Sequence, residues 1–141
     1  MKSLSSRLRL EIYRRFADTG RAPARGELAG GLGCGVAEVE HGLSELAAGH
    51  VIVLVPGTFE IAMAHPFSGM PTAFAVRSGD VSYWANCAWD ALGIAAILGR
   101  DTESRTEDID LSVREGRPVS TSGVVHLLVP AKRFWDDIAY T

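Results

Sequence analysis

The spacing of apolar residues changes near residue 50, and that change limits the folds open to the chain. Before it, Leu8, Ile12 and Phe16 recur every four residues, one apolar stripe of a helix running from about Ser3 to Ala17 and closed by Gly20. Pro23 suits the first turn of a short second helix ending near Gly33. Val36, Val39, Leu43 and Leu46 fall on one side of a third helix from about Val36 to Ala48, which Gly49 stops. After residue 50 the period is that of strands. HVIVLV and FEIAMA flank the turn Pro56-Gly57-Thr58. Three short helices and a hairpin are the pattern of a winged helix-turn-helix.

Beyond a loop at Pro66–Pro71, Ala73–Arg77 and Val81–Tyr83 read as a hairpin turning at Ser78-Gly79-Asp80. A helix is expected from about Asn86 to Leu98, then a polar surface loop over Asp101–Asp108. Ile109, Leu111 and Val113 alternate as in a half-buried strand, Glu115-Gly116 turns, and Val124–Val129 is an apolar strand ended by Pro130. Ala131–Ile138 reads as a short helix. The expectation is an α+β chain: a winged helix-turn-helix-like lobe over 1–65, then a strand-rich lobe over 66–141 with one central helix and a possibly shortened end.

Charge narrows the partners. Residues 1–25 carry seven Lys or Arg against two acidic residues, the remainder seven against fifteen, and no Lys or Arg lies between Arg25 and Arg77. The third helix, which would enter a DNA groove, bears Glu38, Glu40, His41 and Glu45. Phosphate neutralisation drives nucleic-acid binding, so this helix would be repelled. The helical lobe is then a structural or dimer-forming module, with a DNA-binding regulator as the alternative. The longest stretch free of Asp, Glu, Lys and Arg, Ile61–Val76, is broken by Pro66, Gly69 and Pro71 and does not fit a membrane span. Two cysteines form no disulfide framework and no zinc spacing, and the first residues lack a signal-peptide core. A soluble cytoplasmic protein is expected.

The segment Tyr83-Trp84-Ala85-Asn86-Cys87-Ala88-Trp89-Asp90-Ala91-Leu92-Gly93 carries the chemistry. Asn86 as N-cap would put Cys87 in the first helical turn, where free amides favour the thiolate and lower the thiol pKa. Asp90, three residues on, shares that face. Sulfur suits soft-metal capture, and a neighbouring acid can deliver a proton. Spacing alone also fits a buried small Cys, a dipole-complementing Asp, and Trp84 and Trp89 as core. Cys34, in Gly-Cys-Gly, reads as a small residue in a helix connection. His41, His50, His65 and His126 share no ligand spacing, and AGGLGCG follows no strand.

A helix-turn-helix lobe, a Phe/Val-rich strand and then YWANCAWDALGIAAILGR, with VVHLLVPAKRFWDD later, resemble the alkylmercury (organomercurial) lyase family. The resemblance covers most of the chain and is strongest over about Phe67–Asp137. It implies protonolysis of a carbon–mercury bond. Cys87 matches the cysteine that captures the organomercurial, and Asp90 the aspartate that protonates the leaving carbon; together they form the implied mercury site. No cofactor is implied, and external thiols remove the mercuric product. The family's second cysteine is placed by the resemblance just before Val124–Val129, where Ser120-Thr121-Ser122-Gly123 stand. Impaired turnover, or capture of mercury or another soft ligand alone, is therefore expected. A winged-helix regulator with a lyase-like sensor lobe is the alternative, and a plain interaction domain the third reading.

Overall fold

A computed structural model describes residues 3–138. Helix α1, Leu4–Thr19, begins where the Ser3 hydroxyl accepts the Ser6 amide, and it fully buries Leu8, Ile12 and Phe16. It stops at Gly20, whose φ of +73° closes the last turn through a bond to the Phe16 carbonyl. A Cβ at Gly20 would lie 1.8 Å from the Ser82 carbonyl oxygen, so only glycine lets the helix end meet the sheet. Helix α2 spans Arg25–Leu32. Pro23 lies before it rather than in its first turn. Glu27 reaches back to accept the Ala24 amide at 2.8 Å. Helix α3, Val36–Ala48, buries Val39, Leu43 and Leu46, whereas Val36 faces outward.

Strands β1 (Val53–Leu54) and β2 (Ile61–Ala64) form the hairpin after α3, shorter than the sequence suggests. The segment read as a loop contains a further strand, β3 (Phe67–Ser68), which pairs with β2 on one side and β5 on the other. Strands β4 (Phe74–Ser78) and β5 (Val81–Ala85) complete an antiparallel sheet of order β1-β2-β3-β5-β4. The boundary at 65/66 falls inside this sheet. Phe67 stacks on Phe16 of α1 at 5.1 Å between ring centroids and meets Tyr83 at 5.7 Å, so one core joins both sides of that boundary. The Tyr83 hydroxyl donates to the Ala17 carbonyl at 2.7 Å.

Helix α4, Ala88–Leu98, packs on β4 and β5 through Ala91 and Ile94. The polar stretch after it is not a free surface loop. Arg77 and Glu103 exchange two backbone hydrogen bonds of 2.8 Å, and Thr102 and Val113 exchange two of 3.0 Å, so Thr102 and Ser104 are buried. Strands β6 (Val113–Arg114) and β7 (Arg117–Pro118) make a small hairpin. Residues 124–129 form no strand. Their backbone meets no partner among the described residues, and Val124 is 91% exposed; an apolar run without a ladder does not hold as β-structure. A 3-10 helix, Ala131–Asp136, follows. It sets Trp135 flat on His50 at 4.4 Å and edge-on to His65 at 6.1 Å.

Candidate active site

The chain leaves β5 at Ala85 and enters α4 at Ala88, and the two residues between carry the site. Cys87 itself is the N-cap: its backbone is extended (φ −153°), and its carbonyl accepts the Ala91 amide at 3.0 Å. Asn86 is not the cap: it lies one residue before the helix boundary, and its amide nitrogen is directed at Asp90 instead. Burial is the largest influence on the half-buried Cys87 thiol and pushes it above its ordinary value; the Asp90 carboxylate acts in the same direction, while the amides of Asp90 and Trp89 oppose. The expected low-pKa thiol is therefore corrected. Desolvation outweighs the helix start.

Cys87 lines a cavity of about 430 Å³ with Phe74, Leu92, Ile109, Leu111 and Leu127, together with Ser120, Gly123 and His126. The lining is mainly apolar, with the Cys87 thiol, Ser120, His126 and the Asp110 carboxylate as its polar groups. Gly123 lies so close to Ile109 that a Cβ there would sit 2.2 Å from Ile109 Cδ1. Trp89, expected in the core, is 62% exposed and lines this cavity's wall. Cys34 lies elsewhere, packed against the core between α2 and α3.

Asp90, in the first turn of α4, is not among the residues lining that cavity. Its Oδ2 accepts from Asn86 Nδ2 at 2.9 Å and faces His65 Nδ1 at 3.3 Å. Asn86 Nδ2 also lies 3.3 Å from the carbonyls of Pro66 and Phe67. The Tyr13 hydroxyl donates to the His65 carbonyl at 2.9 Å, so α1 braces the same corner. Burial, first, and the Asp90 charge raise the Tyr13 phenol, against Arg9. His65 is thus drawn into the site, which sequence reasoning missed. Its distance in sequence from Asp90 left no pattern to find, and only the unforeseen β3 brings the two together. No cluster of three His, Cys, Asp or Glu fit to hold a metal occurs among the described residues.

A family model described as alkylmercury lyase matches residues 67–141, a span holding Cys87, Asp90, Asn86 and the whole cavity wall. The chain belongs to the alkylmercury lyase family. A solved structure, the crystal structure of the mercury-bound form of MerB2, shares its fold, with a TM-score of 0.67 and 22% sequence identity. The match covers 86% of this chain and 61% of that one, so the chain spans about three-fifths of the length of that protein. No curated protein matches the sequence. The membership accounts for the α+β architecture of helices around a mostly antiparallel sheet.

Proposed function

We propose that the chain captures organomercurials through Cys87 and protonates the carbon of the carbon–mercury bond with Asp90. The observation that carries this reading is the pairing at one helix start: a lone thiol opening into an apolar cavity, and a clamped carboxyl three residues along. Mercury is soft and prefers thiolate to carboxylate or imidazole. An apolar wall suits a hydrocarbon substituent, which makes no hydrogen bonds.

The steps follow from these groups. The Cys87 sulfur displaces the ligand that the organomercurial carries, forming a sulfur–mercury bond while the thiol proton leaves with that ligand. Electron density from sulfur weakens the carbon–mercury bond. The carboxylic acid of Asp90 passes its proton to the carbon as that bond breaks, so a hydrocarbon and an Asp90 carboxylate form. The mercuric ion stays on Cys87 until thiols in solution take it, and solvent returns a proton to Asp90. A second sulfur on mercury, which the described residues do not bring into this cavity, comes from an added thiol. A reducing, thiol-rich cytoplasm would suit both the free cysteines and product removal. No described helix is long and apolar enough to cross a membrane.

A regulator reading DNA through α3 finds less support. Glu38, His41 and Glu45 lie on its exposed side, and Arg25 spends its charge on Glu40. The deciding assay follows benzene release from phenylmercury under excess thiol. Turnover by the parent chain and by Cys34→Ser, absent in Cys87→Ser and Asp90→Ala, supports the reading. Phenylmercury held through Cys87 without benzene would reduce the role to capture, and neither would defeat it.

A further inference from the structure

The Asp90 carboxyl is gripped at one oxygen only. Oδ2 receives Asn86 Nδ2 at 2.9 Å and faces His65 Nδ1 at 3.3 Å, while Oδ1 takes no hydrogen bond among the described residues. We infer that His65 and Asn86 are positioning residues for Asp90: by fixing Oδ2 they leave Oδ1 to hold the proton that is delivered to the carbon of a ligand on Cys87. This rests on the lyase reading above.

Three features of the corner support it. The Asn86 amide nitrogen has three acceptors around it, Asp90 Oδ2 and the Pro66 and Phe67 carbonyls, so its orientation is set. An amide nitrogen cannot accept, and with the Asp90 proton held on Oδ1, Oδ2 can only accept. On this reading the His65 hydrogen is assigned to Nδ1, directed at Asp90 Oδ2 at 3.3 Å, which leaves the 3.4 Å approach to Asn86 without a bond. Second, His65 is itself pinned, its carbonyl by Tyr13 and its ring edge-on to Trp135 at 6.1 Å. Third, His65 Nε2 and Asn86 Oδ1 are buried with no partner among the described residues. Native proteins leave few such atoms, and a catalytic role is one of the reasons they persist.

The ring nitrogen that does the holding can be told apart by substitution. An asparagine amide reaches the place of Nδ1, and a glutamine amide that of Nε2. In the full chain, phenylmercury retention on Cys87 and benzene release at saturating phenylmercury are measured for His65→Ala, His65→Asn, His65→Gln and Asn86→Ala. Retention is expected to stay at one equivalent throughout. Release is expected to slow about tenfold to a hundredfold in His65→Ala, His65→Gln and Asn86→Ala, and to return in His65→Asn. Parent-rate release by His65→Ala, or His65→Asn no faster than His65→Ala with the fold intact, would overturn the inference. Should the parent chain release no benzene, the lyase reading fails separately. The nitrogen-15 spectrum of the neutral His65 ring then decides the positioning. A hydrogen on Nδ1, moving to Nε2 in Asp90→Ala, supports it; a hydrogen on Nε2 in the parent chain overturns it.

Discussion

Raising the pH across neutrality should accelerate chemistry at Cys87 without levelling off. In a Cys34→Ser background, where Cys87 is the one remaining thiol, the rate of reaction with iodoacetamide reports the thiolate population. An ordinary thiol is only a few per cent ionised at about pH 7. Cys87 sits above that ordinary value because burial, its first cause, outweighs the two amides at the start of α4. Its thiolate fraction is therefore smaller still. Far below its midpoint the population grows tenfold for each pH unit, so the rate should climb about tenfold per unit from about pH 6 to about pH 7.5 and keep rising beyond. Stability carries the opposite sign. As pH rises past the ordinary thiol value the unfolded chain releases a proton that the fold retains, so stability falls, and Cys87→Ala removes that dependence. A rate that plateaus near or below about pH 7 would mean that the helix start governs the thiol after all, and would refute the burial account.

Other consequences are separable. Gly20→Ala places a methyl group 1.8 Å from the Ser82 carbonyl oxygen at a φ of +73°, whereas Gly57→Ala has the same sign of φ, +74°, and open space. Thermal melts should show about 1 kcal/mol lost at Gly57 and about 3 kcal/mol or more at Gly20; equal losses would contradict the packing of α1 on β5. Tyr83→Phe deletes the donor to the Ala17 carbonyl and should cost about 1 kcal/mol in denaturant unfolding. Glu27, held down to about 2 first by its hydrogen bonds with Arg21 and then by the Ala24 amide, should titrate by NMR well below an ordinary carboxyl. With a folded pKa below the unfolded one, its contribution is present above the unfolded value and fades as pH falls toward about 2, so parent and Glu27→Gln melting temperatures should converge there.

Much of the fold was legible because it is written locally. The stripe Leu8, Ile12 and Phe16, the glycines at 20, 33, 49 and 99, and the Gly79 turn are each settled by neighbours in sequence, and the four helices and the β4–β5 hairpin stand where those signals put them. Strand β3 was not legible. Pro66, Gly69 and Pro71 punctuate it, and its two residues become a strand only because β2 and β5 flank them. Residues 124–129 fail in the opposite way, apolar enough for a strand but with no ladder to join. At the site, Cys87 and Asp90 were visible as types and spacing. The thiol's environment was not, since its burial depends on Phe74 and on the segment carrying Gly123 and Leu127. His65 was hidden because it meets Asp90, 25 residues on, only through the fold.

The most direct test of the central claim is time-resolved intact-mass measurement of the Cys34→Ser chain mixed with one equivalent of phenylmercury and then with excess thiol. The account predicts a phenylmercury adduct at Cys87 that loses its phenyl group as benzene, and in Asp90→Ala the same adduct persisting unchanged. An adduct that forms equally in Cys87→Ser, or one whose phenyl group departs as fast without Asp90, would contradict it.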